Sequence, residues 1–89
     1  MGTDIGNKLT QRVGELLAAE SLMDIKNIPA ARLHRLDGSR VEQYAVDLVH
    51  PHRLVFKPIL ENGEDINKLE IISVIKIEEV IDYHGKQKR

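Results

Sequence analysis

Near its end the chain carries an acid, a phenol and an imidazole in consecutive positions, Asp82-Tyr83-His84, four residues after an apolar run rich in β-branched residues, Ile71-Ile72-Ser73-Val74-Ile75-Lys76-Ile77. Three proton-handling groups are thus gathered at one point of a strand-like segment. The middle of the chain supplies Arg32, His34, Arg35, Arg40 and Arg53. These are side chains of the kind that hold a phosphate, arginine doing so in fork geometry. Brought together, the two sets suit phosphodiester chemistry without a metal. Cleaving a phosphodiester in that way needs a base for the attacking hydroxyl, a cation for the charge gathering on the phosphate and an acid for the departing oxygen.

The plainer reading of each residue stands beside this one. A terminal Asp-Tyr-His, taken without context, is more often a solvated strand end. His50 and His52 flank Pro51 and read as turn chemistry rather than as metal ligands, so neither metal nor cofactor is expected. His34 serves as readily in packing as in RNA contact, and Arg35 and Arg53 pair as readily with Glu42 or Asp47 across strands.

Whatever these groups do, one small domain must position them. With 89 residues, the chain is near the size at which a single core supports a fold unaided. Cysteine is absent, which excludes disulfides and thiolate metal sites. No run approaches the roughly 20 apolar residues of a membrane helix, and the amino terminus has no signal-like pattern. A cytoplasmic protein is the expectation. The formal net charge of −1 argues against a generic nucleic-acid binder, but its distribution is uneven. Between Lys26 and Lys57 six cations face three anions, whereas between Glu61 and Asp82 seven anions face two cations. That asymmetry gives one phosphate-facing side or, equally, an ordinary solvated surface.

Ile5, Leu9, Val13, Leu16 and Leu17 fall at helical spacing and predict a helix over about 4–20, with Thr3 or Asp4 as cap. A short helical turn follows over about 21–26, capped by Ser21 and ended by Asn27 and Pro29. The period then changes to two. Strands are predicted over about 31–36, 43–48, 53–60 and 70–80, with a turn at Asp37-Gly38-Ser39 and a basic tail over 85–89. A single helical turn over 78–81 is an alternative near the end of the last strand. Tyr44 and Phe56 are the expected core aromatics. The fold class is α+β, a twisted antiparallel sheet of about four strands with the amino-terminal helix packed on one face.

Taken in order, Arg32-Leu33-His34-Arg35-Leu36-Asp37-Gly38-Ser39-Arg40, Tyr44-Ala45-Val46-Asp47-Leu48, His50-Pro51-His52-Arg53-Leu54-Val55-Phe56-Lys57-Pro58 and Ile81-Asp82-Tyr83-His84 resemble the HigB toxins. These are the plasmid maintenance system killer branch of the RelE/ParE superfamily. Leu16 to Asp24 resembles the end of that family's helical hairpin, so the similarity runs from about Gly6 to His84.

The resemblance implies a toxin of a type II toxin-antitoxin system, a metal-independent mRNA endonuclease (mRNA interferase) acting on the ribosome. It also implies a RelE/ParE-like fold here lacking the family's first strand and helix. The implied partners are a cognate antitoxin of helix-turn-helix type, the ribosome and mRNA, with no membrane. An unpaired sheet edge left by the missing strand offers a route to a homo-oligomer.

By the same resemblance Asp82, Tyr83 and His84 match the catalytic trio and Arg40 and Arg53 match basic positions of the family; with Arg32 and His34, read from residue type alone, they make the expected substrate-binding set. His84 alone of the trio has an unperturbed pKa near neutrality and is assigned to proton transfer. Asp82 acts as base or orients a neighbour, and Tyr83 stacks on a base or hydrogen-bonds the phosphate. An extended chain puts Asp82 and His84 on one face with Tyr83 opposed, whereas a turn lets all three converge. Asp37 stands where some members carry a lysine, and an aspartate repels the phosphate that a lysine attracts. That difference supports the alternative of an antitoxin-binding interaction module without nuclease activity.

Overall fold

The computed structural model describes residues 2–82. Tyr83, His84 and the tail over 85–89 lie outside the described residues. The chain is α+β, a helix and a short helical turn followed by a four-stranded antiparallel open sheet.

Helix α1 spans Gly2–Ala18. Leu9, Val13 and Leu16 recur every three or four residues, and that stripe packs on the core. Leu17, one position further round, is 82% exposed. The helix ends earlier than predicted because Ser21 adopts extended backbone and caps the next helix, its side chain accepting from the Met23 N–H. Just before it, the Glu20 N–H donates to Asp24 Oδ2 at 2.8 Å. Helix α2, Leu22–Lys26, then buries Leu22 and Ile25. The Leu22 N–H reaches the Ile72 carbonyl at 2.9 Å, tying this corner to the approach of the last strand.

The strands are β1 (His34–Arg35), β2 (Tyr44–Asp47), β3 (His52–Pro58) and β4 (Ile75–Asp82), ordered β1-β2-β3-β4 with antiparallel neighbours throughout. Departures from the alternation in the sequence have local causes. Strand β1 has two residues rather than six, because Pro29–Ala31 form a 3-10 turn that ends at Arg32 in left-handed backbone, φ 48° and ψ 53°. Proline's preset φ favours such a turn start, and the Arg32 N–H closes it on the Pro29 carbonyl. The turn after β1 is likewise a 3-10 turn, Gly38–Arg40, in which Gly38 supplies a φ of +66°. Finally, β4 starts at Ile75 because Leu69–Ile71 form a third 3-10 turn, and it runs as strand through residues 78–81 where a helical turn was the alternative.

Tyr44 and Val46 of β2 join Leu54 and Phe56 of β3, with Leu22, Ile25 and Ile72, in one core. The Tyr44 and Phe56 rings stack at 6.3 Å between centroids. On the opposite sheet face Ala45 and Val55 are paired and fully buried, so the two central strands are covered on both sides. One row across that second face therefore reads His34, Ala45, Val55, Glu79. No described helix is long and apolar enough to cross a membrane.

Candidate functional site

The row on the second sheet face is where the predicted phosphate-binding side chains meet. Side chains alternate along a strand, so Arg53, two residues from Val55, shares its face and stands opposite Asp47 on β2 and Ile81 on β4. His34, Arg40, Arg53 and Ile81 line a cleft of about 210 Å³ together with Asp37. Arg32, Leu33, His34 and Arg53 line an adjoining one of about 300 Å³. Arg32, His34, Arg40 and Arg53 thus share one groove, with His34 and Arg53 common to its two halves.

Three guanidiniums of the groove, those of Arg32, Arg40 and Arg53, are held by two carboxylates, Asp47 and Glu79. Asp47 takes Arg32 Nε on Oδ2 at 2.8 Å and Arg53 Nε on Oδ1 at 3.3 Å. The second contact is ionic rather than a well-aligned hydrogen bond, since Oδ1 is buried and has no hydrogen-bond partner among the described residues. Arg40 donates through Nη2 to Glu79 Oε2 at 2.5 Å and through Nη1 to Gln43 Oε1 at 2.9 Å. Because Arg40 follows β1 while Glu79 lies on β4, that pair spans the two central strands over Ala45 and Val55.

His34 Nδ1 lies 2.6 Å from the Arg32 carbonyl. A carbonyl only accepts, so Nδ1 is the donor in this contact. Nε2 is buried and has no hydrogen-bond partner among the described residues. Arg32 itself keeps a left-handed backbone where glycine is the usual occupant, a strained conformation of the kind found at functional positions.

Asp82 closes β4 opposite His52. Alternation sets it on the face away from Arg53, while its neighbour Ile81 lines the groove. Of the expected trio only Asp82 is described. Arg35 also lines the smaller cleft, but its guanidinium is committed to the Val41 carbonyl at 2.7 Å and Asn67 Oδ1 at 2.5 Å. Of the cross-strand pairs weighed from sequence, Arg53 takes Asp47, whereas Glu42 meets Lys57 at 3.6 Å. A larger concavity, about 640 Å³, lies at the far end of the sheet near Pro58, Leu60 and Ile66, and is lined by none of Arg32, His34, Arg40, Arg53 or Asp82.

Two residues that matter here were absent from the expected set. Glu79 is one, and no local pattern announces its link to Arg40, 39 positions away. Arg12 is the other. It is 2% exposed and donates to the Asp47 carbonyl at 2.7 Å and the Ala30 carbonyl at 3.0 Å, with Glu15 as its counterion at 3.1 Å. It thereby pins α1 to the backbone that carries Asp47 and leads into Arg32. A signal existed: Arg12 sits on the Leu9, Val13, Leu16 stripe, where a charge is out of place unless paired.

On the other face, burial holds the Tyr44 hydroxyl above its ordinary pKa, with Arg35 lowering it and Asp65 raising it by lesser amounts. That hydroxyl donates to the Ile66 carbonyl at 2.8 Å. Comparison with family models, with curated proteins and with solved structures returned no match.

Proposed function

We propose that the protein is a toxin of a type II toxin-antitoxin system, of the HigB branch of the RelE/ParE superfamily, and a metal-independent endoribonuclease acting on mRNA at the ribosome. The observation that carries this reading is the pairing of Arg53 with Ile81 across β3 and β4. It brings the strand end that leads into Asp82 alongside the groove of Arg32, His34, Arg40 and Arg53. Phosphate-holding cations and the last described proton-handling residue therefore belong to one end of one sheet.

In this reading Arg40 and Arg53 carry the developing phosphate charge, and Arg32 and His34 hold the adjoining nucleotide. His84 supplies the proton transfer, Tyr83 stacks on a base or hydrogen-bonds the phosphate, and Asp82, on the face away from Arg53, orients a neighbour. The cognate antitoxin is a helix-turn-helix protein. Purified protein cuts free RNA poorly in this scheme, because the ribosome supplies orientation.

A second reading has its own observation. Each of the three groove guanidiniums already meets a carboxylate, and Asp37 lines the cleft where a cation is wanted. That arrangement suits an antitoxin-binding module that no longer cleaves RNA. Induction in a bacterial host followed by primer-extension mapping of transcripts separates the two. New 5′ ends that vanish with His84→Ala support the nuclease, and their absence leaves the interaction module.

A further inference from the structure

We propose that Glu79 is an internal competitor for the substrate phosphate. Its carboxylate holds Arg40 across the sheet when the groove is empty, and a phosphodiester displaces it when RNA binds. This rests on the reading of the groove as an RNA site and adds to it a residue that sets how strongly RNA is held.

Arg40 is only partly exposed and has five N–H donors, of which Glu79 and Gln43 take two. Glu79 is the more exposed partner, at 45%, and no other contact holds its carboxylate among the described residues. Releasing it to water therefore costs little, since ion pairs at such exposure are weak. The geometry also gives the competition a direction. Glu79 shares the face of Arg53 and Ile81, and its carboxylate meets the guanidinium of Arg40, a residue that lines the groove. A lone phosphate arriving at Arg40 exchanges one anion for another and gains almost nothing. A strand that also meets Arg53 and Arg32 gains contacts elsewhere and completes the exchange. The arrangement thus favours a polynucleotide over a mononucleotide.

The test uses the full chain and a short labelled single-stranded RNA made uncleavable by 2′-O-methylation, which removes the attacking hydroxyl. Fluorescence anisotropy is followed across a salt series. Glu79→Gln is expected to tighten binding about two- to fivefold, the range of a partly exposed ion pair. It also steepens the dependence of log affinity on log salt by up to about 0.7, one uncompensated phosphate contact on a single strand. Glu78→Gln, which removes the same charge one residue away, leaves both quantities near wild type. In an Arg40→Ala background Glu79→Gln has no effect. If wild type binds and Arg53→Ala weakens it, yet Glu79→Gln matches Glu78→Gln or acts equally without Arg40, the competition is refuted and the RNA site stands. If none of these proteins binds the RNA, the RNA reading falls and the competition with it.

Discussion

Asp47 and Arg53 face each other across β2 and β3, with Arg53 Nε 3.3 Å from Asp47 Oδ1, while the other oxygen of that carboxylate holds Arg32 Nε at 2.8 Å. One carboxylate therefore fixes the spacing of two guanidiniums that would otherwise repel. It keeps a cationic groove assembled at the cost of part of its charge.

Asp47→Asn preserves shape and removes that compensation. Unfolding in urea should show a loss of about 1 kcal/mol, the scale of a half-buried charged hydrogen bond. Adding Arg32→Ala should recover part of the loss, because one of the two like charges is then gone. Strict additivity of the two changes would show that Asp47 does not couple them.

Arg12 should matter more for stability than any other cation. Arg12→Leu strands the carbonyls of Asp47 and Ala30 in a buried place and is expected to cost about 3 kcal/mol. Arg12→Lys should recover little, since an ammonium lacks the fork that reaches both carbonyls. Thermal denaturation of the three proteins measures this directly.

At Arg32 the backbone and the side chain make opposite demands. Arg32→Gly removes a left-handed penalty of about 1 kcal/mol, partly offset by the freer unfolded chain, so stability should stay within about 1 kcal/mol of wild type. Arg32→Val, β-branched at positive φ, should lose about 2 kcal/mol. Both variants should bind RNA more weakly. Stability that is equal in the two would remove the backbone argument.

The Tyr44 hydroxyl gives a pH signature. Burial raises its folded-state pKa above the unfolded value of 10.0, so the protonated form is the one folding favours. The sign is fixed by linkage: its contribution is complete below pH 10 and is lost as pH rises from there through the folded value. Denaturant midpoints should fall over that alkaline range, and the Tyr44→Phe protein should lack this component while starting about 1 kcal/mol less stable for want of the bond to Ile66.

In cells, Tyr83→Ala and His84→Ala should each relieve growth arrest caused by the induced protein. Asp37→Lys should deepen the arrest by turning a repulsive side chain of the cleft into an attractive one. Growth curves of the four strains suffice, and arrest that survives both alanine changes would exclude Tyr83 and His84 from the mechanism.

Much of the architecture was legible in the residues. The Leu9, Val13, Leu16 stripe announced α1, and Ser21 announced the cap of α2. The alternation of Tyr44, Val46 and Leu48 marked the buried face of β2 and the residue that follows it. Where alternation misled, a local hydrogen bond won: the Arg32 N–H closes on Pro29 and shortens β1, and the Ile72 N–H closes on Leu69 and delays β4. The basic residues were legible as a set, but their counterions were only half so. Asp47 lies within one hairpin of Arg53 and was weighed from sequence. Glu79 was not, because its register depends on the bulge between Val55 and Phe56.

By itself the sequence determined the elements, the class of fold and which side chains are chemically fit to hold a phosphate, because periodicity, capping and ionisation belong to short stretches of chain. Only the tertiary structure decided that Arg32, His34, Arg40 and Arg53 share one groove, that Arg40 is held by Glu79, and that Asp82 sits on the face away from Arg53. Those outcomes depend on strand register and on a bulge, and shifting a pairing by one residue moves every side chain of a strand to the other face.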